Sequence, residues 1–327
     1  LNQAFNASTS VAADTYNVTN LQTNGLSISA GNPDVANGLL ANDLEDDAFT
    51  NLTNAPVDVI YTVVPVSGSN CEGEPFSVTV TVNPEPVVAN QTTTVCSDEI
   101  LGFTLENDPN GPDVASYNLT NITSNELTAA SGNTTQQNGL SSDAISNDSW
   151  NNITDTALDV VYTFIPVGDN GCLGDPFTVT VTVNPEPVVA NQTTTVCSDE
   201  ALGYILANDI DTPNVASYNL TSIVDNGLIP ASGNIVIQNG FLSDAISNDS
   251  WNNITSAALD VIYTFVPVGD NGCLGDDFTV TVTVNPEPVV TNQTITVCSD
   301  ENLNQAFNAS TSVAADTYNV TNLQTNG

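Results

Sequence analysis

The sequence predicts an all-β fold in which β-sandwich domains follow one another in a tandem array. Three observations predict it: an internal repeat of about 100 residues, segments in which apolar and polar residues strictly alternate, and the lack of sustained helical periodicity. The stretches between the predicted domains are short and rich in proline. In a fold of this kind, each domain buries one face of its strands in a core of its own.

The internal repeat sets the predicted domain boundaries. The string Asn-Pro-Glu-Pro-Val-Val begins at Asn83, Asn184 and Asn285, a period of 101 residues, and residues 1–25 recur letter for letter at 303–327. This period is too long for a solenoid repeat and fits one independent domain per repeat. The expected domains are residues 1–85, a repeat lacking its N-terminal strand; 86–186 and 187–287, two complete repeats; and 288–327, the start of a further repeat. We therefore expect the chain to be a slice of a longer array.

The clearest predicted strand is Phe177–Val183, in which apolar residues alternate with threonine. This period of two is typical of an antiparallel strand with one buried face. Its copies are Phe76–Val82 and Phe278–Val284. The segment Leu158–Pro166, rich in β-branched and aromatic residues, precedes it, and Gly168–Gly174 has the composition of a turn. Together they predict a hairpin formed by the last two strands of the domain.

Shorter strands complete the predicted domain. They are expected around Val87–Val95, Leu101–Leu105, Tyr117–Ile122 and Trp150–Thr154. About seven short strands in roughly 100 residues favour an immunoglobulin-like sandwich. Asn-Pro-Glu-Pro closes each domain, and its two prolines favour an extended, stiff connection. We expect the rings of Trp150 and Trp251 to lie in the cores.

The charge composition excludes several kinds of chemistry. The chain has no Lys, Arg or His against 38 Asp plus Glu, a net charge of −38. Schiff-base lysines, histidine bases and arginine clamps for phosphate are therefore absent, and nucleic acid and anionic lipid are repelled. Paired carboxylates could hydrolyse glycosides, but near-identical repeats would then need near-identical active sites. We expect no enzyme, no catalytic residue, no nucleic-acid partner and no membrane insertion by this segment.

The six cysteines occur as two per repeat at constant spacing. In a chain without metal-binding histidine, they indicate disulfides formed in an oxidising compartment. Two pairings are open: Cys96–Cys172 within one domain, or Cys71–Cys96 across a junction. We favour the first, because the second joins a hairpin tip to a point a full strand beyond the next linker. The expected bonds are Cys96–Cys172 and Cys197–Cys273, with Cys71 and Cys298 pairing outside this segment.

The acidic residues offer candidate Ca²⁺ ligands, because hard cations take several oxygen ligands from loops rich in Asp and Asn. The candidates are Asp43, Asp46 and Asp47 with Glu45 among them; Asp108 and Asp113; Asp209 and Asp211; and Asp276 and Asp277. None of these runs has the spacing of an EF-hand loop. The alternative is a solvated acidic surface that keeps the array soluble.

Several motifs together resemble a known family. The run Asp148–Thr154, then Val161–Pro166, Gly171-Cys172, Phe177–Pro187 and Val196–Ser198 resembles the PKD-like Ig-fold repeats of very large Bacteroidetes cell-surface proteins. Those proteins include gliding and adhesion proteins exported by the type IX system. The first repeat departs mildly, with Phe49 where the others have Trp.

The resemblance implies a structural role outside a bacterial cell. It implies a surface fibre or adhesin stalk, whose partners are neighbouring repeats or copies of itself in a fibre. It supplies no catalytic residue to transfer. The alternative is that the repeats themselves bind a surface glycan or another surface partner, in a Ca²⁺-dependent way if the acidic clusters are cation sites.

Overall fold

The computed structural model describes residues 11–31, 34–109, 111–208 and 213–325, and the regular structure within them is entirely β. The first repeat contains β1 (Thr15–Gln22), β2 (Ser27–Ala30), β3 (Ala36–Leu39), β4 (Ala48–Thr50), β5 (Val57–Val66) and β6 (Phe76–Val82). The second contains β7 (Gln91–Cys96), β8 (Val114–Ser124), β9 (Thr128–Ala129), β10 (Gln137–Leu140), β11 (Trp150–Asn151), β12 (Leu158–Gly168) and β13 (Phe177–Asn184). The third contains β14 (Gln192–Cys197), β15 (Val215–Val224), β16 (Ile229–Pro230), β17 (Gln238–Phe241), β18 (Trp251–Asn252), β19 (Leu259–Gly269) and β20 (Phe278–Asn285).

Each repeat has one main sheet and one two-stranded sheet. The main sheets have the orders β3-β1-β5-β6, β10-β8-β12-β13-β7 and β14-β20-β19-β15-β17, and the small sheets pair β2 with β4, β9 with β11 and β16 with β18. In the third repeat, the strand after the linker lies parallel to the last strand, from Gln192 opposite Val280 to Cys197 opposite Asn285. The described part of the first repeat has a main sheet of four strands, whereas the other two have five.

The core of the third repeat follows from the alternation in its strands. On β20, every second residue from Phe278 to Val284 is at most 1% exposed, and β19 contributes the fully buried Val261, Tyr263 and Phe265. The rings of Phe265 and Phe278 stack with their centroids 5.8 Å apart. Residues from the opposite layer, including Trp251, close the same cluster. The prediction that Trp150 and Trp251 are core residues is confirmed, because they are 4% and 3% exposed.

The structure confirms most of the predicted strands and corrects one. The predicted hairpin is formed by β12 and β13 and its copies. The strand predicted at Leu101–Leu105 is wrong, because this segment joins no sheet. Its backbone amides at Leu101, Gly102 and Leu105 instead donate to the carbonyls of Asp148, Ser146 and Ser142, in a run of turns. Gly102 has a φ of +58°, which an extended ladder does not accommodate.

The chain packs as two compact units. One consists of residues 1–95, 99–150 and 159–182, and the other of 96–98, 151–158 and 183–327. The second unit therefore combines the third repeat with the end of the second repeat from which the linker departs. The junction between the first two repeats lies in the first unit, and the junction between the second and third repeats lies in the second.

Candidate functional site: the junction between repeats

The tip of the hairpin between β19 and β20 is a tight, self-bonded turn. The amide of Gly269 donates to the carbonyl of Cys273 at 2.8 Å, and that of Gly272 donates to the carbonyl of Gly269 at 2.9 Å. Gly272 has a φ of +84°, in the left-handed region that favours glycine. In the first repeat, Asn70 takes the equivalent place with a φ of +58°, which asparagine tolerates better than most residues. These local bonds fix the tip, so its side chains are held in place.

This tip holds the linker that enters its own repeat. The side-chain amide of Asn271 donates to the carbonyl oxygen of Pro185 at 2.8 Å. The Asn271 carbonyl oxygen accepts a bond from the amide of Cys273 at 3.0 Å, so the side chain is fixed at both ends. Gly275 lies directly against the linker backbone at Pro187. Because a proline-rich segment has few amide donors of its own, the hairpin supplies the hydrogen bond that orients it.

The same contacts occur at the junction within the first unit. Asn170 donates to the carbonyl of Pro84 at 2.8 Å and accepts from the amide of Cys172 at 2.9 Å. Gly174 lies against Pro86 as closely as its counterpart in the third repeat lies against Pro187. The clamp on the linker is therefore a repeated device, encoded in Asp-Asn-Gly-Cys-Leu-Gly of the hairpin and Asn-Pro-Glu-Pro of the linker.

The departing side of the linker is also fixed. In the second unit, the amide of Ser97 donates to the carbonyl of Asn184, and the hydroxyl of Ser97 accepts from the amide of Asn152. Asn152 is 4% exposed and donates to the carbonyls of Thr156 and Val183, at 2.8 Å each. The linker thus leaves the second repeat where its last strand is held by buried hydrogen bonds, and it is then bound by the hairpin of the third repeat.

A disulfide crosses this junction. Cys96, the last residue of β7, is bonded to Cys273 in the hairpin tip of the third repeat, with a Cα–Cα distance of 5.6 Å. The predicted bonds Cys96–Cys172 and Cys197–Cys273 are therefore wrong, and the alternative Cys71–Cys96 is not formed either. Cys71, Cys172, Cys197 and Cys298 are free thiols. Whether Cys71 and Cys298 pair outside this segment stays a prediction.

The parallel edge strand explains the correction. Cys197 lies opposite Asn285, at the end of β20 from which the chain leaves the repeat. Cys273 lies in the hairpin at the other end, before Phe278. The seven residue-to-residue steps from Phe278 to Asn285 extend about 23 Å, whereas a disulfide requires Cα atoms within about 7 Å. A bond within one repeat would therefore have to span the length of its sheet.

Each repeat contains a buried polar cluster. In the third repeat, the hydroxyl of Tyr263 donates to the carboxylate of Asp249 at 2.8 Å and accepts from the indole nitrogen of Trp251 at 2.7 Å. The amide of Ile235 donates to the second carboxylate oxygen at 2.9 Å. Burial raises the pKa of Asp249 above its ordinary value. Desolvation, followed by the charge of this neighbouring carboxylate, raises the pKa of Tyr263 far above 10.0.

The second and first repeats contain versions of this cluster. Tyr162 donates to Asp148 at 2.8 Å and accepts from Trp150 at 2.7 Å. In the first repeat, Tyr61 donates to Asp47 at 2.8 Å, and Phe49 replaces the tryptophan. Only the core position of the tryptophans was predicted from the sequence, although Asp148, Trp150 and Asn152 are spaced by two. That spacing places all three on one face of an extended segment.

The candidate calcium ligands are dispersed. Asp47 is 2% exposed and serves the tyrosine of the core, whereas Asp43, Asp46, Asp108, Asp113, Asp276 and Asp277 lie on the surface. Asp209 and Asp211 fall outside the described residues. Among the residues that are described, no three Asp, Glu, Cys or His side chains form a group that could hold a metal ion. Calcium binding stays a prediction, as does the solvated acidic surface.

The chain belongs to the PKD-like domain family. The family model matches residues 40–86, 93–187 and 194–288, well over half of the chain. The three matches follow the three repeats described above, each with the β-hairpin and a version of the polar cluster. Within the described ranges, no helix is long and apolar enough to cross a membrane.

Several solved structures are similar to this chain at low sequence identity and low TM-score. The chicken CNTN1 FN1–FN3 domains are 9% identical with a TM-score of 0.29, over 84% of this chain and 90% of that chain. The fibronectin(III)-like modules of Clostridium thermocellum CbhA are 12% identical with a TM-score of 0.22, over 61% of this chain and 91% of that one. SGBP-B of Bacteroides ovatus, solved with a mixed-linkage heptasaccharide, is 14% identical with a TM-score of 0.17, over 89% of this chain and 65% of that one. No curated protein sequence matches the chain significantly.

Proposed function

We propose that this chain is a structural, non-catalytic repeat region of an extracellular bacterial surface fibre or adhesin stalk, where it acts as a mechanical spacer. The observation that carries the proposal is the clamped junction. At both described junctions, a hairpin asparagine and a hairpin glycine grip the entering linker in the same way. A linker held on both sides transmits force between domains, whereas a free linker acts as a hinge.

The chemistry of the surface supports the same role. A chain with 38 acidic residues and no basic ones stays soluble at the cell surface. It offers no lysine or arginine to trypsin-like proteases. The disulfide across the junction fits an oxidising compartment. From the resemblance of its repeats, we further propose a Bacteroidetes source, export by type IX secretion, and neighbouring repeats or copies of itself as partners.

Immunogold electron microscopy on intact producing cells tests the location. An antibody raised against residues 86–287 should label material that projects from unpermeabilised cells, with gold at a distance from the envelope. Label that appears only after lysis would contradict an extracellular role. A glycan array probed with the folded chain separates the mechanical role from the alternative. Specific, saturable binding to one class of glycan would favour a recognition module over a spacer.

A further inference from the structure

The disulfide at the junction between the second and third repeats closes a covalent loop that spans both of these repeats. Cys96 and Cys273 are 177 residues apart in sequence. The enclosed residues, 97–272, comprise nearly all of the second repeat after β7 and the third repeat up to its hairpin. The loop therefore contains most of the residues that two unfolding domains would otherwise release.

We propose that this disulfide is a mechanical staple that diverts tension around both domains. A pull along the chain reaches Cys96, crosses the sulfur–sulfur bond to Cys273 and continues toward the C-terminal end. Residues 97–272 lie in a side loop, which adds no length to the loaded path. The staple would serve the mechanical role proposed above, and its biological purpose rests on that role. The covalent path itself follows from the bond.

The position of the staple suits this task. The amide of Ser97, the residue after the first cysteine, donates to the carbonyl of Asn184, where the chain leaves the second repeat. The second cysteine lies in the turn whose Asn271 holds Pro185 of the linker. The disulfide and the linker therefore cross the junction side by side, anchored by the same hydrogen-bonded groups. Force passes directly between two points that are already fixed to each other.

The equivalent cysteines of the second and third repeats have the same surroundings as Cys96 and Cys273. Cys172 is held by Asn170 in the same way as Cys273 is held by Asn271, and Cys197 ends its edge strand as Cys96 does. The rule is that the strand cysteine of one repeat pairs with the hairpin cysteine of the next repeat. Where the array extends beyond these residues, Cys197 should pair with the hairpin cysteine of the following repeat, and Cys172 should pair with a strand cysteine that precedes residue 1. Because Cys197 precedes Cys273, successive loops overlap, and an array built this way has a staple at every junction.

Single-molecule force spectroscopy on the oxidised chain, tethered through peptide tags at its two ends, tests the staple. The comparison uses wild type, Cys96→Ser and the matched control Cys197→Ser, which removes the equivalent cysteine of the third repeat. Opening the 177-residue loop should make the fully extended Cys96→Ser chain roughly 600 Å longer than wild type. Cys197→Ser should match wild type. Adding a reductant should lengthen wild type and Cys197→Ser to the extension of Cys96→Ser.

A second pair of variants keeps the test independent of folding defects at Cys96. Cys273→Ser should reproduce the long extension, and its counterpart Cys172→Ser should remain short. Equal extensions for all oxidised chains would overturn the staple. Peptide mapping without reduction should give a Cys96–Cys273 peptide, and a Cys96–Cys172 peptide would overturn it equally. If the staple is present but intact cells carry no label, the surface role fails while the covalent bypass stands.

Discussion

Gly275 touches the backbone of Pro187 so closely that no side chain fits between them: a Cβ atom on Gly275 would lie 1.9 Å from the Pro187 carbonyl oxygen. The equivalent distance from Gly174 to Pro86 is also 1.9 Å. The glycine at the end of the hairpin is therefore required by the path of the linker. Its own φ is not in the left-handed region, so conformational freedom is not the reason for it.

The substitution Gly275→Ala should therefore push the linker off the hairpin. The obstructing atom belongs to the backbone, so relief requires a main-chain shift, and we expect a loss of about 1–3 kcal/mol from the third repeat. The control is Gly73→Ala in the first repeat, where the new Cβ would meet a proline ring carbon, Cγ of Pro65, at 3.0 Å. Differential scanning calorimetry of both variants measures the difference. Equal losses would show that the linker contact is not the constraint.

Asn253 organises the end of the third repeat from which the next linker leaves. It is 2% exposed, its side-chain amide donates to the carbonyls of Ala257 and Val284, and its oxygen accepts from the amide and hydroxyl of Thr255. Asn253→Ala removes the buried bond to the Val284 carbonyl, whereas the Ala257 carbonyl keeps the hydroxyl of Thr255 as a donor, so the substitution should cost about 1–3 kcal/mol.

The neighbouring Asn252→Ala is the matched control for that substitution. Asn252 makes a side-chain bond to Asp199 at a more exposed position, and its removal should cost less than about 1 kcal/mol. Chemical denaturation of both variants, monitored by tryptophan fluorescence, reports the third and second repeats. Similar midpoints for the two variants would contradict the role assigned to Asn253.

The first repeat provides a natural precedent for replacing the core tryptophan. Phe49 occupies that position, and Tyr61 still donates to Asp47 at 2.8 Å. Trp251→Phe should therefore fold but lose the indole bond to Tyr263, at a cost of about 1–2 kcal/mol. Calorimetry should show a lower transition for the third repeat, with the others unchanged. If the variant were as stable as wild type, the hydrogen bond from the indole nitrogen to Tyr263 would make no net contribution to stability.

The hairpin strands and the core tryptophans could be predicted because their signals are local. Alternation over Phe177–Val183 fixes which face is buried, whatever the neighbouring strands are. The disulfide could not be predicted this way, because it depends on whether the edge strand runs parallel or antiparallel to the last strand. The parallel pairing of β14 with β20 sends Cys197 to the far end of the sheet. The strand predicted around Leu101 was wrong for a similar reason, because the hydrogen-bond partners of this segment lie in turns and not in a strand.

The buried polar cluster could have been predicted from the sequence. Asp148 begins one of the motifs that resemble the family, and its spacing to Trp150 and Asn152 places it on the buried face. A carboxylate on such a face requires hydrogen-bond donors, and Tyr162 or Tyr263 on the adjacent predicted strand could supply one. The linker contacts of Asn170 and Asn271 could not be predicted from the sequence, because Asn and Gly are common in turns whether or not the turn binds another segment.

The tyrosines of these clusters make the fold sensitive to alkali. Burial, together with the neighbouring carboxylate, raises the pKa of Tyr61, Tyr162 and Tyr263 well above the ordinary value of 10.0. In the unfolded chain, these phenols lose their protons near pH 10, whereas in the folded chain they keep them. The folded state then binds more protons than the unfolded state, so the stabilisation is fully present below pH 10 and is lost as the pH rises.

Each repeat should therefore lose up to about 1.4 kcal/mol of stability per pH unit above 10 for its cluster tyrosine. Denaturant unfolding at a series of alkaline pH values measures the slope, and phenolate absorbance should show these tyrosines ionising together with unfolding. Tyr263→Phe is the control, because it removes one titrating phenol from the third repeat. The Tyr263→Phe variant should be less stable at neutral pH. Above pH 10, the free energy of unfolding of its third repeat should fall less steeply with pH than in wild type, by the amount that one titrating phenol contributes. An unchanged slope would mean that Tyr263 ionises within the folded domain, and the bond to Asp249 would then not be holding its proton.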